Sequence, residues 1–195
     1  MQITIHELDG VPGPQDNSWV DAVLAHLDAD SGRPAGVLIG RSLGLGPGLL
    51  ITFGPAPAAG FAAGPVTAGP GATYELVIRH TGSAGGRPRY LRMVTFTGPR
   101  SPEWCAAFDR SGEERLWPAV RDVPGLVGDV VGSTSDGGRT VLGLAESVEA
   151  LEAGAAAVLS TELLPWERPE QLTGPDAATV VRLLHADLPA TVPSA

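Results

Sequence analysis

The strongest constraint on how this chain folds is an order of hydrophobic periods that runs through its first half and returns in its second. Residues 2–8, Gln-Ile-Thr-Ile-His-Glu-Leu, alternate apolar and polar side chains with the period of a half-buried strand and stop at the turn pair Asp9-Gly10. A helix is predicted next. Asp16, Asn17 and Ser18 are good N-caps, Val20, Val23, Leu24 and Leu27 form one apolar stripe, and Gly32 and Pro34 end it. Val37 to Ile39 reads as a buried strand, Gly44 to Gly48 as a turn, and Leu49 to Phe53 as the hairpin partner. The Gly- and Pro-broken stretch from Pro55 to Gly71 is assigned one short helix, and Thr73 to His80 is a closing strand.

The second half gives cleaner signals. Tyr90 to Thr97 is a strand, and Ser101-Pro102-Glu103 then supplies a cap, a proline for the first helical position and an acid for the positive end of a helix. That helix carries Trp104 and Phe108 on one face and Asp109, Arg110, Glu113 and Glu114 toward solvent. Gly112 weakens it, and Pro118 should kink or restart it before Val123-Pro124-Gly125 stops it. Leu126 to Gly132 and Arg139 to Ala145 flank a hairpin loop at 133–138. Ser147 caps a helix whose Val148, Leu151, Ala155, Val158 and Leu159 share a face, and a Pro-rich connection at 165–175 leads to the last strand, Ala178 to Asp187.

Each half therefore reads strand, helix, strand, strand, helix, strand. This is the ferredoxin-like order of an α+β fold, with helices covering one face of an antiparallel sheet. The chain reads as a tandem duplication: a degenerate, Gly/Pro-rich unit at 1–86, a linker at Thr81 to Pro88, and a second unit at 87–195. Trp19 and Trp104 lie early in the first helix of each unit, Gly10 and Gly98 follow the first strands, and His80 and His185 sit near the ends of the last strands.

Composition excludes several partners. The formal charge is −9 and basic runs are missing, so phosphate backbones and anionic lipid heads are repelled; neither nucleic acid nor membrane is an expected partner. All 13 basic residues are arginine, which reads as the codon bias of a GC-rich bacterial genome. With 26 Gly and 18 Pro in 195 residues, the chain stays below the roughly 25–30% that marks low complexity. Cys105 is the only cysteine, so one chain forms no disulfide and no cysteine-based metal cage, and a reducing cytoplasm is the expected location. Residues 1–8 are unlike a secretory signal, and no segment approaches the roughly 20 apolar residues of a membrane-spanning helix.

Short motifs add less. Gly40-Arg41-Ser42-Leu43-Gly44 matches the pattern of a nucleophile elbow, but the following Leu45-Gly-Pro-Gly48 cannot start the helix an elbow needs, and the segment reads as a hairpin. The four histidines are scattered without zinc-ligand spacing. On period-two strands, Tyr74, Leu76, Ile78 and His80 share one face, as do Val181, Leu183 and His185. Each of these histidines is either a strand-end residue with a hydrated tip or a base at a pocket mouth. Trp19, Trp104, Trp117 and Trp166 read mainly as packing residues. Tyr90, Arg92, Val94 and Phe96 also share a face, which would bury Arg92 unless that face lines a cavity or interface or the arginine snorkels out.

The Trp-bearing first helix, the 133–138 hairpin, the amphipathic 147–160 helix and the closing 178–187 strand together resemble the dimeric α/β-barrel superfamily. The resemblance is nearest to the antibiotic-biosynthesis-monooxygenase family. It implies that two units pair their sheets into a barrel, here fused within one chain as an intramolecular pseudo-dimer, with a further homodimer left open. It also implies a cofactor-independent monooxygenase acting on an aromatic or polyketide-type small molecule, with no cofactor and no metal. On that reading His185 or His80 is the base or donor, Trp104 and Trp19 are candidate walls for the substrate, and Arg92 and Tyr90 are polar anchors. The Asn, Trp and His set of haem-degrading relatives has no counterpart, because Asn17, the only asparagine, lies at a helix cap. Two alternatives stand beside this reading: a non-catalytic small-molecule-binding or assembly module, and a polyketide cyclase, whose product gains no oxygen.

Overall fold

The computed structural model describes residues 1–30, 33–44, 46–55, 59–169 and 173–189. The chain divides into two compact units, one made of Met1–Leu76 with the chain from Val180, the other of Val77–Thr179. The first contains β1 (Gln2–Asp9), α1 (Ser18–Asp30), β2 (Gly36–Ser42), β3 (Gly48–Phe53), β4 (Phe61–Ala63) and β5 (Val66–Ala68). The strand β6 (Ala72–Thr81) leaves it for the second unit, which holds β7 (Tyr90–Phe96), α2 (Pro102–Ser111), a π-helical turn at Gly112–Leu116, α3 (Trp117–Val120), β8 (Leu126–Ser133), β9 (Arg139–Ala145) and α4 (Val148–Ser160). The last strand, β10 (Ala177–Asp187), begins in the second unit and continues into the first. Hydrogen bonding links the strands in the order β3-β2-β10-β7-β9-β8-β6-β1, and β3 pairs again with β1, closing an eight-stranded antiparallel barrel. Among the described residues no helix is long and apolar enough to cross a membrane.

In the first unit, Asp16 caps α1 by accepting from the Ser18 N–H (2.9 Å) and hydroxyl (2.6 Å). The helix buries Trp19, Val20, Val23 and Leu27 against Leu8, Val37, Ile39 and Leu50. Gly32, read as part of the helix stop, lies outside the described residues. Where a short second helix was expected between Pro55 and Gly71, the described residues form the hairpin β4–β5 instead, with Phe61 opposite Ala68 and Ala63 opposite Val66. Gly64 turns it in the left-handed region (φ +59°), and β5 extends onto β1 through Leu8 and Ala68. The period is two: Ala63, Val66 and Ala68 point into the core, and partly buried Phe61 packs against it. The Ser42 hydroxyl donates to the Pro47 carbonyl (2.6 Å) between β2 and β3, so the elbow-like motif is a hairpin.

In the second unit both helix starts follow the sequence signals. The Ser101 hydroxyl accepts from the Trp104 N–H and the Ser147 hydroxyl from the Ala150 N–H, each at 3.2 Å. The π turn follows from Gly112 and Pro118. Proline brings no N–H, and its ring crowds the carbonyl four residues earlier. The chain widens at this point, and the Trp117 N–H bonds the Gly112 carbonyl, five residues back, before α3 begins.

Candidate functional site

A cavity of about 340 Å³ opens within the second unit between its strands and its helices. Its floor is two cross-strand rows. Arg92 on β7, Gly143 on β9 and Asp129 on β8 form one row, and Val94, Val141 and Val131 form the next. Gly143 has no side chain, so the floor between Arg92 and Asp129 is open. The roof comes from Phe108, Gly112, Leu116 and Trp117 on one side and from Leu151, Ala155 and Val158 of α4 on the other. The helix face that the 147–160 periodicity marks as apolar is thus the face turned to this cavity.

Asp129 reaches the cavity because of a bulge. Leu126 pairs with Ala145 and Gly128 with Leu144, so Val127 is one residue extra and the strand changes parity there. Both Leu126 and Asp129 then face the cavity. Gly128 makes the bulge feasible: its φ is +149°, and a Cβ there would lie 2.2 Å from the His80 carbonyl oxygen.

His80, near the end of β6, is the centre of the site. Its Nδ1–H donates to Asp129 Oδ1 at 2.7 Å, and its Nε2 lies 3.4 Å from Glu113 Oε1 on the π turn. The imidazole stacks on Trp117 with ring centroids 4.4 Å apart and planes at 8°. Burial works to discharge the ring, but the Asp129 hydrogen bond, the Asp129 charge and the Glu113 carboxylate together outweigh it and hold its pKa above the ordinary histidine value. Nε2 is sealed from solvent and makes no hydrogen bond, its approach to Glu113 being a charge contact. Half-exposed Glu113 is therefore its cover.

A second cavity of about 360 Å³ shares Phe96, Phe108, Leu116, Val158, Leu159 and Pro175 with the first. Trp104 lines it, stacked on Phe108 at 5.0 Å and carrying the Arg100 guanidinium 4.9 Å over its own ring. A buried ion pair, Arg115 Nε to Glu167 Oε2 at 2.7 Å, forms part of its wall. Burial pushes the Glu167 carboxyl upward, but donors from the Ser111 hydroxyl, the Leu164 N–H and Arg115 prevail and hold its pKa below the usual value.

The structure brings together two of the site residues named from sequence, His80 and Arg92, on one cavity. Trp104 lies on the neighbouring cavity. Tyr90 stands opposite Ala145 on β7 and lines neither. Trp19 is fully buried in the core of the first unit, and His185 lies in the same unit opposite Ile39, beside a bulge in β10. Sequence reasoning missed Asp129, although it is the one charged residue in Leu126–Ser133. It also placed Glu113 on a solvated face and Trp117 among packing residues.

A closed antiparallel barrel with ferredoxin-like strand and helix order defines the class. No family model matches the chain, and no curated protein matches it by sequence. Solved structures match it by fold. An anthrone oxidase-like protein is 14% identical over 98% of this chain and 97% of that one, at a TM-score of 0.53. A monooxygenase-named protein from Fusobacterium nucleatum is 7% identical over 95% and 94%, at 0.59. A ferredoxin-fold protein from Listeria monocytogenes, related to antibiotic biosynthesis monooxygenases, is 11% identical over 95% and 96%, at 0.55. The chain has the fold of these monooxygenase-like proteins.

Proposed function

We propose that this protein is a cofactor-independent monooxygenase acting on an aromatic, polyketide-type small molecule, with the cavity beside His80 as its active site. One observation carries the reading: an imidazole is held between Asp129 and Glu113 at the wall of a cavity whose other lining is mostly apolar. The volume, about 340 Å³, exceeds the roughly 300 Å³ at which small-molecule sites begin. That favours an enzyme over a module whose pocket has filled with side chains. The names of the anthrone oxidase-like and monooxygenase-like neighbours support the same reaction class.

The chemistry uses what the site offers. With Nδ1–H committed to Asp129, neutral His80 presents Nε2 as the base once Glu113 turns aside, and it takes a proton from a phenolic O–H or an activated CH₂. The aromatic anion, dry among Val94, Val131, Val141 and Trp117, is electron-rich enough to reduce oxygen directly. In the balanced reaction a CH₂ and O₂ become a C=O and H₂O, with the substrate as the only reductant. The same base would also start the ring closure of a polyketide cyclase, in which no oxygen enters the product. We further read the units 1–86 and 87–195 as copies of one module, supported by Trp19 and Trp104 near the start of each unit's first helix.

The test is turnover of anthrones and hydroxynaphthalenes in air, under argon and under ¹⁸O₂. The reading expects oxygen-dependent product carrying one labelled oxygen, insensitivity to chelators, and a loss of about 10²- to 10⁴-fold in His80→Gln. Unlabelled, oxygen-independent product would assign the cyclase instead. Equal rates in wild type and His80→Gln would remove His80 from the chemistry.

A further inference from the structure

Arg92 lines the cavity beside Val94 and Phe96, yet among the described residues it has no carboxylate partner and no hydrogen bond. Other arginines of the same unit are paired: Arg100 with Asp176 at 2.7 Å, Arg115 with Glu167 at 2.7 Å and Arg139 with Asp109 at 2.9 Å. A half-buried guanidinium facing apolar walls is costly to leave uncompensated. A ligand anion is the group that would compensate it, and a guanidinium meets a carboxylate through two parallel N–H···O bonds.

The rest of the cavity fixes where that anion goes. Arg92 and Asp129 flank Gly143 in one row, two strand spacings or about 10 Å apart at the backbone, with nothing rising from the floor between them. That span matches two fused aromatic rings. Asp129 and Glu113 place negative charge at the opposite end of the row and repel an anion from it, so an acid-bearing ligand has one favoured orientation.

We infer that the cavity selects a planar aromatic substrate bearing a carboxylate, which Arg92 binds, so that the O–H or C–H to be deprotonated lies at His80. This inference rests on the reading of the cavity as the active site, and it adds a substrate class to it.

The test compares binding of 6-hydroxy-2-naphthoic acid, whose carboxylate and hydroxyl lie at opposite ends of two fused rings, with that of its neutral carboxamide, by calorimetry and by quenching of tryptophan fluorescence, using the full chain. Wild type is expected to bind the acid about 10- to 100-fold more tightly than the amide. In Arg92→Met the two affinities converge, because the acid loses affinity while the amide keeps its own. Equal binding of both by wild type overturns the inference, as does failure to bind either or an equal loss for both ligands in a folded Arg92→Met. The wild-type comparison alone decides if that variant does not fold. Binding needs no oxygen, so the two readings fail separately. Acid selectivity without aerobic turnover would remove the oxygenase and keep the carboxylate site, whereas turnover of anthrones without acid selectivity would do the reverse.

Discussion

His80 and Asp129 meet at 2.7 Å although 49 residues separate them, and they meet because Gly128 lets β8 press against the backbone of His80. The histidine is thereby fixed in one tautomer, with Nδ1–H on the carboxylate and Nε2 without a hydrogen bond. Replacing Asp129 by Asn keeps the shape and removes the charge. The His80 pKa should fall toward or below its ordinary value, read from an NMR titration of the ring protons, and turnover should drop by about 10²-fold. An unchanged titration would show that Asp129 does not hold the ring.

A raised folded-state pKa has a defined sign in stability. The contribution of His80 is fully present below the unfolded-state value of 6.5 and is lost as pH rises through the folded-state value. Denaturant midpoints of wild type should therefore decline relative to His80→Gln as pH climbs above about 6.5. On the proposed function catalysis would run the other way, because the base is the neutral ring: kcat should rise across the same interval. A pH–rate profile flat through that interval would contradict the assignment.

Two glycines of neighbouring strands should behave oppositely. At Gly128 a Cβ would lie 2.2 Å from a carbonyl oxygen in a left-handed backbone, so Gly128→Ala should cost more than about 2 kcal/mol and disturb His80. At Gly143 a Cβ would meet nothing nearer than the Arg92 carbonyl at 3.7 Å, so Gly143→Val should fold with at least wild-type stability. Its side chain would nevertheless fill the floor between Arg92 and Asp129. Melting temperatures and ligand affinities measured on both variants separate the two effects.

Arg115 and Glu167 form a buried pair whose loss on one side leaves an uncompensated charge. Arg115→Ala should destabilise the protein by about 3–5 kcal/mol in urea unfolding. The lowered Glu167 pKa makes its contribution present above the unfolded-state value of 4.5 and lost as pH falls through the folded-state value. Acid unfolding of Glu167→Gln should therefore show a shallower pH dependence than wild type below about pH 4.5. Equal slopes would mean that the pair carries no pH-linked stability.

What was legible in the sequence was local. The Ser101 and Ser147 caps, the period-two strands and the break at Gly112 and Pro118 depend on residues within a turn or two of one another, and each element forms where those signals lie. The β4–β5 hairpin was hidden because its inward residues include Ala63 and Ala68, too small to mark an alternation among prolines and glycines. His80 and His185 look alike in pattern, since each ends an apolar row; their difference lies in which strands adjoin them, and strand pairing is not a local property. Glu113 was misplaced for a related reason: an α-helical period puts it in solvent, but it sits on the π turn, where the phase of the helix slips and the carboxylate meets His80.

A buried apolar core surrounds Trp19 in the first unit, and the second holds an open chamber walled by Val94, Val131 and Val141. On the proposed function, structural integrity and ligand choice are assigned to different sets of residues. Selection can reshape the chamber by exchanging one valine for a smaller or larger neighbour while the packing around Trp19 stays intact. Read as an enzyme in that way, the chain is well suited to acquire new substrates in small steps.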